Sequence, residues 1–112
     1  RIFYFRNNGM EEYYMGSADW MPRNLDKRVE ILFPVEDEKL KTELEHILQI
    51  QLEDNVKSHI LQPDGSYVKV NRRGKKRLCA QEYFCQEAVE RAKLPKEPGK
   101  DRVFIPEESL TE

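Results

Sequence analysis

Tyr14-Met15-Gly16-Ser17-Ala18-Asp19-Trp20-Met21-Pro22-Arg23-Asn24-Leu25-Asp26-Lys27-Arg28-Val29-Glu30 is the stretch on which the reading of this chain turns. The run Tyr13-Tyr14-Met15 reads as the end of a buried strand. Gly16-Ser17 breaks it, at a place where the backbone can turn sharply and bring N–H groups close to a ligand. Asp19, Arg23, Asn24, Asp26, Arg28 and Glu30 then crowd into a short polar segment. A second strand is expected over 28–34, and side-chain alternation would set Arg28 and Glu30 on one face with Val29 and Ile31 on the other. Charged groups converging where two strands flank a glycine-serine turn read as a site. The structural alternative is an ion pair at a sheet edge.

Upstream, Ile2-Phe3-Tyr4-Phe5 is an apolar and aromatic strand-like run, and Asn8-Gly9 is a turn signal that makes it the first arm of a hairpin with 12–15. With 28–34 these form a three-stranded antiparallel unit or part of a larger mixed sheet. Downstream, Leu40, Leu44, Ile47, Leu48 and Leu52 recur at helical spacing after the acidic start Glu36-Asp37-Glu38, so an amphipathic helix over 37–53 is expected to pack on the sheet. Asp54-Asn55 closes it. Residues 56–61 and 67–70 read as short strands around Pro63-Asp64-Gly65-Ser66, a hairpin by its turn chemistry. A second helix is expected over 77–93, with Leu78, Cys85, Ala88, Val89 and Ala92 as its apolar stripe. The class is α+β, a mixed or antiparallel sheet with two packed helices. Residues 1–93 make the folded part, and the proline- and charge-rich 94–112 read as a flexible tail.

The 112 residues are sized for one small domain or part of one. Nineteen basic and 21 acidic side chains nearly cancel, so net charge offers no case for a nucleic-acid or membrane partner. No apolar run is long enough to span a bilayer, and no signal peptide is visible. Cys79 and Cys85 lie six apart in one helical segment, off the spacing that would bring both to one side. No disulfide between them is expected, and reduced thiols fit a cytosolic protein. No Cys/His spacing suggests a metal centre, and no P-loop is present. The sequence begins without an initiator Met, directly on a strand-like run, as an internal piece would.

Residues 16–30 closely resemble the signature of the last domain of bacterial polyphosphate kinases, the long-chain-forming type. Asp54-Asn55-Val56-Lys57 and Gln62-Pro63-Asp64-Gly65-Ser66-Tyr67 are similar to that family as well. Gly16-Ser17-x-Asp19 and Glu30 stand where the wider phospholipase D superfamily carries Gly-Ser-x-Asn and a downstream glutamate. The resemblance implies part of a phospholipase-D-like lobe in an enzyme that moves the ATP γ-phosphate reversibly onto polyphosphate through a phosphohistidine. It also implies ATP/ADP and polyphosphate as ligands, Mg²⁺ arriving with ATP and held mainly outside this segment, a homo-oligomer, and a cytoplasmic or inner-membrane-associated location. In that family one histidine lies in the preceding domain and its partner just upstream of the position of Arg1. Neither is in this sequence, and the segment alone is expected to be inactive.

Within that resemblance, Arg28, Glu30 and Asp19 are the candidate catalytic residues. Arginine suits phosphoryl transfer because its planar fork pairs two phosphate oxygens. Glu30 could hold Arg28 or orient an imidazolium, and Asp19 could fix an imidazole tautomer. Arg1, at the lysine-like position of a His-x-Lys motif, with Ser17, Arg23 and Asn24, forms the candidate phosphate or nucleotide set. Ser17 and Asp19 could equally close a local turn, and Arg23 and Asn24 could brace the loop. Trp20 reads as a packing anchor, with stacking on adenine as the alternative. Arg72, Arg73, Lys75 and Lys76 could line a channel for a polyanion or form a solvated loop; no interleaved aromatics support nucleic acid. His46 and His59 match no motif. A phosphodiesterase of the wider superfamily would want asparagine in place of Asp19, and a non-catalytic interaction domain is the other alternative.

Overall fold

The computed structural model describes residues 1–95. The tail expected over 94–112 lies, beyond residue 95, outside the described residues. The fold is α+β, and the chain divides into two compact units, Arg1–Ala80 and Gln81–Glu112.

In the first unit, β1 (Ile2–Phe5) and β2 (Glu12–Gly16) form the expected hairpin, in register Ile2↔Met15 through Phe5↔Glu12. Its loop is a 3₁₀ turn, Asn7–Gly9, with all three residues at positive φ. Asn and Gly tolerate that left-handed backbone best, which is why this sequence turns here. β3 (Leu32–Pro34) pairs antiparallel with the other side of β2, giving the order β1-β2-β3.

The strand expected over 28–34 is therefore only three residues long. β2 ends at Gly16 opposite Leu32, and Ser17 N–H to the Ile31 carbonyl at 3.4 Å is the last bond beside that pair. With no partner left to pair them, Arg28, Val29 and Glu30 leave the sheet, and Val29 is fully exposed. The polar segment instead contains a helix that the sequence reading did not anticipate, α1 (Pro22–Asp26). Pro22 stands in its first turn, where a missing N–H costs nothing.

α2 (Glu38–Glu53) is capped by Asp37, whose Oδ1 accepts from the N–H groups of Lys39 and Leu40 at 2.9 and 3.1 Å. Only the middle of its expected apolar stripe is covered. Leu44 is buried with Tyr13 and Val35, and Leu48 packs against that cluster. Ile50 is also buried, whereas Leu40 and Leu52 are exposed. β4 (His59–Leu61) and β5 (Tyr67–Lys69) form a separate two-stranded hairpin, shorter than the expected strands. Its turn is closed by Gly65 at φ +84° and by Asp64 Oδ1 accepting from Ser66 N–H at 2.9 Å.

α3 (Ala80–Lys93) lies almost wholly in the second unit. Of its expected stripe, Cys85, Ala88, Val89 and Ala92 are not buried. Cys79 and Cys85 are both free thiols, as expected. Among the described residues no helix is long and apolar enough to cross a membrane.

Candidate functional site

The end of the sheet where Arg1 meets Gly16 gathers four of the candidate residues. Arg1 N and O bond Gly16 O and N at 2.8 and 3.1 Å, extending the β1–β2 ladder by one residue. Gly16 is required there by a close approach, since a Cβ would fall 2.9 Å from the Ile31 carbonyl oxygen. The N–H groups of Gly16 and Ser17, expected to face a ligand, both donate to backbone carbonyls, those of Arg1 and Ile31.

From this fixed backbone the Arg1 guanidinium reaches across the turn. Its Nε and Nη2 donate to Asp19 Oδ1 and Oδ2 at 2.6 and 2.7 Å, and its Nη1 donates to the Ser17 carbonyl at 2.6 Å. Beside it, the Ser17 hydroxyl donates to Glu30 Oε2. Asp19 and Glu30 thus hold an arginine and a serine in place. Both carboxylates also border a hollow of about 360 Å³, whose apolar walls include Phe3, Phe5, Leu25 and Trp20. Trp20 is 82% exposed, so it is not the packing anchor expected from the sequence. The segment carrying it has left the sheet and its ring forms an outer wall.

The other candidates make no side-chain hydrogen bond to this cluster among the described residues. Arg28 is exposed, and among the described residues its side chain makes no hydrogen bond or ion pair, so the expected pairing with Glu30 is absent. That pairing rested on a strand face that does not form. Arg23 is exposed on α1, whereas Asn24 is buried within it.

Arg72, Arg73, Lys75 and Lys76 are all exposed on a loop shaped by its own polar groups. Asn71 Oδ1 accepts from Arg73 N–H at 2.9 Å, Lys75 N–H bonds the Arg72 carbonyl at 2.9 Å, and Gly74 sits at φ +76°. Lys75 borders a second hollow together with Asp54, Asn55 and His59. His59 Nδ1 is 2.9 Å from the carbonyl of Lys57, two residues earlier.

Asp54 and Asn55, read from the sequence as a helix terminator, prove to be a clamp. Asp54 Oδ1 accepts from Val56, Lys57 and Ser58 N–H at 2.8, 2.8 and 3.3 Å, and Oδ2 accepts from Ala80 N–H at 2.7 Å. The Ala80 bond, then that to Lys57, hold the buried carboxyl down at about 2, against the opposing effect of burial. Asn55 completes the tie through Lys76 O at 2.8 Å and Leu78 N–H at 2.9 Å. The local half of this motif has a sequence signal, an Asp followed by loop N–H groups. The half that reaches Ala80 has none.

The profile of the family described as Polyphosphate kinase C-terminal domain 2 matches residues 1–81. A polyphosphate kinase of Synechocystis sp. is 61% identical over 69 residues, covering 62% of this chain and 10% of that protein. One from Bacillus anthracis is 47% identical over 81 residues, covering 72% and 12%. One from Rhodopirellula baltica is 43% identical over 97 residues, covering 86% and 11%. The crystal structure of polyphosphate kinase from Porphyromonas gingivalis superposes with a TM-score of 0.69 at 38% identity, over 81% of this chain and 14% of that one. The chain spans about a tenth of the length of these curated relatives.

Proposed function

This chain belongs to the polyphosphate kinase family, matching its C-terminal domain 2, and we propose that the enzyme containing it transfers the ATP γ-phosphate reversibly onto polyphosphate. The observation that carries the reading is the family match over the stretch that also holds the Arg1–Asp19 and Ser17–Glu30 pairs. The transfer runs through a phosphohistidine. A histidine nitrogen supplied from outside this segment displaces ADP at the γ-phosphorus, and the terminal oxygen of the growing chain then takes the phosphoryl group and frees the histidine. This segment alone is inactive because it supplies neither histidine.

Phosphoryl transfer is catalysed mostly by positioning and by positive charge around the equatorial oxygens. Arg28, exposed and without an ion-pair partner among the described residues, is a cation available to a triphosphate. Arg1 contributes the edge of its guanidinium not turned to Asp19, and Arg23 adds charge from α1. Glu30 holds Ser17. Arg72, Arg73, Lys75 and Lys76 lie along the path of the polyanionic chain, on a loop whose turn is fixed by Asn71 and Gly74.

Among the described residues no three His, Cys, Asp or Glu side chains converge, and the two carboxylates at the cluster are engaged by Arg1 and Ser17. Mg²⁺ enters with ATP and is held mainly outside this segment. A homo-oligomeric assembly and a cytoplasmic or inner-membrane-associated location rest on the family reading alone.

The test is ³¹P NMR of the full-length enzyme with Mg·ATP, beside an Arg28→Ala variant. Internal polyphosphate resonances should grow for the wild type and fall in rate by roughly a hundredfold or more for the variant. Growth that the variant leaves unchanged would make Arg28 a surface residue, and no growth from the wild type would remove the kinase assignment.

A further inference from the structure

Resting on the kinase reading, we propose that Asp19 is a positioning residue that makes Arg1 a rigid clamp for the oxygens of a phosphoryl group. A guanidinium carries five N–H donors in a fixed plane. Three of Arg1's are engaged, Nε and Nη2 by Asp19 and Nη1 by the Ser17 carbonyl. Two remain, one on each terminal nitrogen, with no partner among the described residues. Paired N–H groups of this kind match two oxygens of one phosphoryl group.

Every part that aims this edge is itself fixed. The Arg1 backbone is locked to Gly16, and the loop carrying the Ser17 carbonyl is held by Ser17 Oγ bonding Glu30. A free arginine would lose rotamer freedom on meeting phosphate; one already immobilised by Asp19 does not lose it again. A carboxylate is needed at this position because both of its oxygens accept. The amide introduced by Asp19→Asn would offer an NH₂ toward Arg1 in place of one acceptor and would remove the charge. The ammonium introduced by Arg1→Lys could not serve both Asp19 oxygens and the Ser17 carbonyl and still present two N–H groups.

The ligand is the terminal phosphoryl group of a phosphoanhydride, whether of a polyphosphate chain or of a nucleotide. The test is isothermal titration of the full-length enzyme with inorganic tripolyphosphate and, separately, with Mg·ADP, using Asp19→Asn, Arg1→Lys and the double variant. Each single variant should weaken tripolyphosphate, Mg·ADP or both by about tenfold, and the double variant should be no weaker than Arg1→Lys. Loss with tripolyphosphate alone assigns the clamp to the chain; loss with Mg·ADP assigns it to the nucleotide. Unchanged affinity for both ligands in Asp19→Asn would overturn the proposal, as would losses that multiply in the double variant, since Asp19 acts through Arg1. A wild type that binds these ligands yet makes no polyphosphate from Mg·ATP would overturn the kinase reading and leave the clamp to be judged by the binding cycle.

Discussion

Replacing Asp54 with Ala removes one carboxylate that accepts four backbone hydrogen bonds. The N–H groups of Val56, Lys57 and Ser58 lie at half-buried or exposed residues and can turn to water. That of Ala80, in a residue only 7% exposed, is left without an acceptor, which costs roughly 1–3 kcal/mol. The charge gives a second measure. A carboxyl lowered from 3.8 to about 2 is linked to roughly 2 kcal/mol of folding free energy. The two measures overlap, and a loss of about 3 kcal/mol is expected near neutral pH.

The sign of the pH dependence follows from the lowered value. The stabilisation is fully present above the unfolded carboxyl's range and is lost as pH falls through the folded one. The gap between wild type and Asp54→Ala should therefore be level from neutrality to about pH 5 and should narrow by about 1 kcal/mol by about pH 3. Urea unfolding of the chain followed by far-UV circular dichroism at several pH values measures it. Asp64, whose carboxyl is lowered by its bonds from Ser66, is present in both proteins and cancels in the difference. Asp54→Asn, which keeps an acceptor and has no charge to titrate, is the control. A gap below about 0.5 kcal/mol, or one that stays level down to about pH 3, would refute the clamp.

Gly16→Ala should cost about 1–3 kcal/mol, because its new methyl must push away the Ile31 carbonyl immediately before β3. The same urea titration reads this, and a loss under about 0.5 kcal/mol would mean that β3 yields freely. Trp20 is the chain's single tryptophan and is largely exposed. Its fluorescence should show the emission of a solvated indole and strong quenching by acrylamide, and Trp20→Phe should change stability by no more than about 0.5 kcal/mol. A shielded, blue-shifted emission would contradict the outer-wall position.

Features whose causes lie within a few residues were legible along the chain. Asn8-Gly9 and Gly65 supply left-handed turn residues, and Asp64 accepts within its own turn, so both hairpins could be read before any packing was known. The acidic start around Asp37 and the helical spacing of Leu44 and Leu48 likewise placed α2, and the signature over 16–30 pointed to the family that the comparisons then showed. Pairings between distant residues emerged only from the folded chain. Arg28 and Glu30 were assigned one strand face, but a strand persists only while a neighbour supplies hydrogen bonds, and β2 ends at Gly16. Asp19 meets Arg1 across 18 residues, and Asp54 meets Ala80 across 26. No local propensity encodes such pairs. The first depends on strand register and on the close approach at Gly16, the second on where the Ala80 N–H falls beside the end of α2, and sequence spacing supplies neither because side-chain partners are chosen by distance in space rather than along the chain.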